Sequence, residues 1–247
     1  LEYTNTDIRE IDLIAFDGIT YKGLDIKIRN YIEDGYGYCP ETMAVCHPDA
    51  HIYAAYYFSK YKDAMIMSID GYGDGISIRI AKAINNKITC VKTYGNSSSL
   101  GEFYSAATNY LGFKSIEGEY KVMGMAAYGE NQAGKVAFDK KLYFDPIREI
   151  VKVESSLFDA TNYTSIYEPY YNYAEFKKAL GHEPRGNGDI KQEHFNSALI
   201  IQKAFSKAYV EIAKYFKRKL ETDNLILTGG CCLNTLANHQ LQKELRL

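Results

Sequence analysis

AMIMSIDGYGDGISIRIAKAINNKITCVKT, residues 64–93, holds three consecutive strand-like runs: Ala64 to Ile69, Ile76 to Ile84 and Ile88 to Thr93. They are separated by DGYGDG and by Asn85-Asn86-Lys87, and glycine and asparagine supply the backbone conformations that tight turns need. The segment predicts an antiparallel meander. Upstream, Ile11 to Phe16 reads as a buried strand stopped at Asp17-Gly18, and Thr42 to Cys46 as a second strand. Pro48 then takes the favoured first position of a helix, with Asp49 where its charge suits the helix dipole; this helix is expected to reach about Lys60. Downstream, Ser99 to Leu111 is amphipathic, and Lys114 to Gly129 reads as a glycine-rich loop with a short helix. A long apolar stripe predicts a helix from about Glu193 to Leu220. Leu225 to Leu227 reads as a strand that breaks at Thr228-Gly229-Gly230, before a closing helix from Asn234 to Leu245. Between them, residues 131 to 189 are polar and tyrosine-rich, which predicts an inserted, surface-facing region. Strands and helices in this order imply mixed α/β layers, expected as two lobes with a cleft between them.

The chain has 247 residues and is 46% hydrophobic, enough for a substantial core. Its apolar runs fall far short of the ~20 residues that cross a bilayer, so a soluble, cytoplasmic protein is expected. Lysine and arginine number 29 against 31 acids and form no long block, which argues against extended nucleic-acid binding. Five cysteines without a CxxC pair read as reduced thiols of an intracellular protein. The adjacent Cys231-Cys232 fits either a redox pair or small packed residues in a strand-to-helix loop.

Chemistry gathers at four places. His47 and His51, in HPDAH, stand one helical turn apart, a spacing that lets two imidazoles reach one cation; a capping His47 beside a packed His51 is the plainer alternative. Asp70 ends a strand and precedes Gly71, Gly73 and Gly75, which fits a phosphate-binding hairpin or an ordinary β-turn. Gly229 and Gly230 open a second place where a nucleotide could lie against the backbone. Lys121 is a candidate to neutralise a phosphate or carbamoyl oxygen, against the alternative of a solvated surface charge.

Together these segments resemble the carbamoyltransferase family, which includes nodulation-type and antibiotic-modifying O-carbamoyltransferases and is related to threonylcarbamoyl-transfer proteins. Five blocks carry the resemblance in order: HPDAHIYAAYY, SIDGYGD, SLGEFYSAATNYLGF, EGEYKVMGMAAYG and LTGGCCLNTLAN. It implies an actin-like, ribonuclease-H-like two-lobe (ASKHA) fold, present in part. Residues 1–62 would be the C-terminal part of the first lobe and 63–247 most of the second, with the insertion at about 131–189. It implies that His47, His51 and Asp70 are metal ligands, iron or zinc being the expected metal. Gly71, Gly73, Gly101, Lys121, Gly229, Gly230 and Asn234 would line a pocket for ATP or carbamoyl-adenylate.

The implied activity passes a carbamoyl group from carbamoyl-adenylate, made from carbamoyl phosphate and ATP, to a hydroxyl of a sugar or natural product. No residue emerges as the general base. Tyr163 to Tyr173 fits an acceptor surface or a tyrosine-rich surface loop. Complete members begin with a further strand hairpin and continue to another metal-ligating aspartate and an adenylate-forming domain. Missing complementary segments or an oligomer are therefore expected. The competing readings are threonylcarbamoyl transfer to tRNA, disfavoured by the absence of a basic patch, and a non-catalytic remnant that binds nucleotide or a partner.

Overall fold

A computed structural model of the chain describes residues 1, 3–130, 138–157 and 172–246. The predicted meander forms as β3 (Asp63–Gly73), β4 (Ile76–Ile84) and β5 (Lys87–Gly95), with antiparallel pairing throughout. Both connections are two-residue turns with positive φ at each position, Asp74 and Gly75 in one, Asn85 and Asn86 in the other. That geometry matches the right-handed twist of the flanking strands. A fourth strand, β8 (Leu225–Thr228), pairs parallel to β3, giving a mixed sheet in the order β5-β4-β3-β8.

β3 is buried on both faces, which explains its nearly continuous apolar run. Met65, Met67 and Ile69 face the main core, under α3 (Leu100–Tyr110) and the 29-residue α6 (Gln192–Leu220). Ala64 and Ile66 alternate to the other face, where they meet Ile52 and Tyr56 of α2 (His47–Ser59). The ends of α3 and of the final helix α7 (Thr235–Leu245) follow from capping chemistry. Ser99 accepts from the Glu102 N–H and Asn234 from the Ala237 N–H, each satisfying a donor that a helix start leaves open.

The first part of the chain is built differently. β1 (Leu13–Asp17) and β2 (Glu41–Val45) form a two-stranded parallel sheet, connected by α1 (Leu24–Tyr36), a helix absent from the expectations above. β1 is not the buried strand its apolar run suggests: its residues alternate between exposed and half-buried, and Leu13 is 42% exposed. Two strands offer too little surface to cover each other's faces.

The region from 131 to 189 is likewise not confined to the surface. Its described parts include the hairpin β6 (Leu142–Asp145) and β7 (Ile150–Val153), and α5 (Tyr173–Leu180). Phe138, Leu142, Phe144, Val151, Val153 and Phe176 are buried in the main core. Phe138 and Phe176 pack on Phe103 of α3, so this region supports the helix that walls the site. Of the tyrosine-rich stretch, residues 163–171 lie outside the described residues; Tyr173 packs its ring on Tyr110.

Candidate metal and nucleotide site

The remaining helix, α4 (Glu119–Ala126), completes the frame of the site. His47 and His51 sit one turn apart at the start of α2, with rings 4.7 Å apart at right angles. Asp70, near the end of β3, meets both. Its Oδ2 lies 3.0 Å from His51 Nε2 and 3.4 Å from His47 Nε2. Ligand atoms of the three residues all fall within 4.8 Å of one another, the one such His/Cys/Asp/Glu group among the described residues. Two donors sharing a cation at about 2.1 Å each stand about 3.0–3.4 Å apart for ordinary coordination angles. Both imidazole–carboxylate distances match that spacing, and two nitrogens with one carboxylate oxygen are donors of the chemistry that suits a divalent cation.

Asp17 was not among the sequence candidates. The Nδ1–H of His47 donates to its Oδ2 at 2.6 Å, the carboxylate support that commonly orients a metal-binding imidazole. The only trace in the sequence is a strand that ends Asp-Gly, which reads equally well as a turn. Asp74 is a second omission. It accepts from the His47 N–H at 2.7 Å and from the Thr20 N–H and hydroxyl at 2.9 and 2.7 Å, tying the loop after β1 to the start of α2. Arg79 of β4 pairs with Asp49 at 2.5 Å and fixes the same helical turn from the other side.

Burial works to raise the Asp70 carboxyl, but hydrogen bonds from His51, the Gly71 and Gly230 N–H groups and His47 prevail and hold it at about 2. Burial works to lower the His47 imidazole; its hydrogen bonds and charge attraction to Asp17 and Asp70 outweigh this and leave its pKa raised.

Asp70 also forms part of the wall of a cavity of about 500 Å³. Gly71, Gly101, Gly230 and Asn234, all expected there, line it. Asn234 is held by two hydrogen bonds with Gln202, at 2.9 and 3.0 Å, while the Tyr104 hydroxyl donates to the same Gln202. Gly73 and Gly229 serve the site from behind. A Cβ on Gly73 would lie 2.0 Å from the His47 ring, and one on Gly229 would lie 2.4 Å from the Ile69 carbonyl oxygen.

The three glycines after Asp70 do not form one anion cradle. The Gly71 N–H is taken by Asp70 itself, Gly73 packs under His47, and Gly75 belongs to the turn. Lys121 is not in the cavity wall. It is exposed on α4, and its ammonium lies over the rings of Phe113 and Tyr120, at 5.5 and 5.8 Å. The wall instead carries Asp70, Glu102, Glu117 and Glu119, and no lysine, arginine or histidine among the described residues. Cys231 also lines it, but burial pushes the Cys231 and Cys232 thiols up, which favours packing over redox chemistry.

A family model described as the carbamoyltransferase N-terminus matches residues 15–246. The chain belongs to the carbamoyltransferase family. The chain is 28% identical over 207 residues to an uncharacterized protein of Synechocystis, covering 80% of the chain and 31% of that protein. It is 26% identical over 201 residues to the nodulation protein NolNO of Sinorhizobium fredii, covering 81% of the chain and 27% of that protein. The chain thus spans about a third of the length of these relatives. In backbone it is similar to the Acidaminococcus fermentans (R)-2-hydroxyglutaryl-CoA dehydratase component A. The TM-score is 0.50 at 13% identity, over 100% of this chain and 71% of that one, a likeness of fold alone. Among the described residues no helix is long and apolar enough to cross a membrane.

Proposed function

We propose that this carbamoyltransferase chain binds a nucleotide in the Asp70 cavity and a divalent cation at His47, His51 and Asp70, and passes a carbamoyl group to a hydroxyl acceptor. The observation that carries the reading is that one carboxylate, Asp70, meets both imidazoles and forms the cavity wall. The charge of that wall adds to it. Four carboxylates, with no cationic side chain among the described residues of the wall, would repel a phosphate unless a metal ion stood between them. The iron or zinc implied by the family fits this donor set.

In this reading Asp17 holds His47 so that Nε2 points at the cation. The N–H groups of Gly230 and Gly71 hold Asp70 in its ionised form. The bound ion would supply Lewis-acid polarisation of a carbonyl or orientation of a phosphate. The donor is proposed to be carbamoyl-adenylate, formed from carbamoyl phosphate and ATP, and the acceptor a hydroxyl of a sugar or natural product. Residues 1–62 and 63–247 are proposed as parts of the two lobes of an actin-like fold, a reading supported by the mixed sheet and the fold likeness.

Metal analysis of the purified chain, with ATP calorimetry in the presence and absence of the metal, tests the proposal. Metal retention by the wild type, its loss in His47→Ala and Asp70→Ala, and ATP binding that needs the metal are the expected results. A chain that stays metal-free when supplied with iron or zinc would overturn it.

A further inference from the structure

Nine described residues other than glycine have positive φ, and eight of them are not β-branched. Lys60, Glu221 and Arg246 end helices, and Asp74, Asn85 and Asn86 make the hairpin turns. Ile116 differs. It is β-branched, its φ is 71°, and it lies in the loop between α3 and α4. A branched Cβ in this conformation crowds its own backbone, so the position strains the chain where glycine or asparagine would not.

Packing does not compensate, because Ile116 is 78% exposed. The loop is nevertheless firmly held. Glu119 accepts from the Ile116 N–H and the Ser105 hydroxyl, both at 2.7 Å, and from the Gly118 N–H at 3.2 Å. Gly118 itself is packed so closely that a Cβ would lie 2.7 Å from the Lys114 carbonyl oxygen. Such strain persists where the surroundings over-determine it, and it concentrates at ligand sites.

Ile116 lines the 500 Å³ cavity, and at the same walls stand Tyr21, Tyr72, Tyr120 and Leu233, all substantially exposed. These are flat or apolar groups, and their exposure puts them where the cavity meets solvent. We propose that Ile116 is a ligand-binding residue whose side chain covers the face of the nucleobase at the cavity mouth, a role that rests on the nucleotide reading above. The strained backbone then places an apolar side chain where only a bound aromatic ring buries it. Glycine at this position would give a more relaxed chain and a poorer site.

Calorimetry with magnesium ATP and with inorganic triphosphate, on the wild type, Ile116→Gly and Ile116→Asn, tests this together with thermal melting. Ile116→Gly is expected to melt about 2–4 °C higher, through relief of the positive φ. Both variants are expected to bind ATP about tenfold more weakly, with triphosphate binding unchanged. Equal ATP affinity in wild type and variants would overturn the role of Ile116, as would a parallel loss of triphosphate binding. Lower melting of both variants would overturn the strain on which it stands. A wild type that binds ATP no better than triphosphate would instead overturn the nucleotide reading, and this inference with it.

Discussion

His47 and Asp17 meet at 2.6 Å through Nδ1 and Oδ2, which leaves the other ring nitrogen of His47 turned toward Asp70. A carboxylate behind a metal-binding imidazole fixes its tautomer and raises its basicity. Asp17→Asn is therefore expected to weaken binding of zinc or iron by about 10- to 100-fold while leaving the fold intact. Metal titration by calorimetry, with circular dichroism as the control, reads this directly; unchanged affinity would show that Asp17 is only a surface partner.

Asp74 ties Thr20 to the start of α2 through three hydrogen bonds. Asp74→Ala removes the acceptor for the His47 N–H, a loss comparable to that of a helix cap, about 1 kcal/mol. Thermal melting should fall by about 2–4 °C. Metal affinity should fall as well, since the same bond sets where His47 begins the helix.

Gly101 of α3 rests on Gly71 of β3. A Cβ there would stand 2.6 Å from the Gly71 Cα and 2.7 Å from its nitrogen, and backbone cannot swing aside as a side chain would. Gly101→Ala should push α3 off the sheet, costing about 1–3 kcal/mol by overpacking and deforming the cavity wall. Denaturant unfolding and ATP calorimetry should both register the change.

His194 contributes to the pH dependence of stability with a definite sign. It is buried at the start of α6, and its Nδ1 accepts from the Lys191 N–H at 2.9 Å, which requires an unprotonated nitrogen. Burial first, then the nearby His182, Arg185 and Lys191, lower its pKa against the opposing pull of Glu193. A group whose folded pKa is lowered takes up its proton more readily in the unfolded chain. Its contribution to stability is present above the unfolded value of about 6.5 and is lost as pH falls toward the folded one. The raised pKa of His47 works the other way, adding stability as pH falls, so the His194 contribution is read as a difference: between pH 7.5 and 5.5 the melting temperature of the wild type should fall relative to that of His194→Gln. An equal slope in the variant would show that His194 contributes nothing to the pH dependence.

Much of this chain is legible locally. The meander, the helix that opens at Pro48, and the Gly-Gly break after β8 each follow from periodicity and turn chemistry within a dozen residues. His47 and His51 were readable as a pair because a helical turn places them together whatever surrounds them. The errors arose where distant partners decide. Lys121 looks like a phosphate ligand beside a glycine-rich loop, yet the packing of α4 turns it over Phe113. The tyrosine-rich region looks like surface from its composition, yet Phe138 and Phe176 close the core beneath α3.

By itself the amino-acid sequence determined the family, the order of strands and helices, and the two histidines with Asp70 as candidates, because each rests on short-range spacing or on ordered motifs. Only the tertiary structure decided that Asp70 is shared between the imidazoles and the cavity, that Asp17 stands behind His47, and that the cavity wall is acidic. Those relations join residues 19 to 160 positions apart, from Asp70 to His51 and to Gly230. No local pattern encodes them, because the contacts exist only once β1, α2, β3 and the loop after β8 are packed side by side.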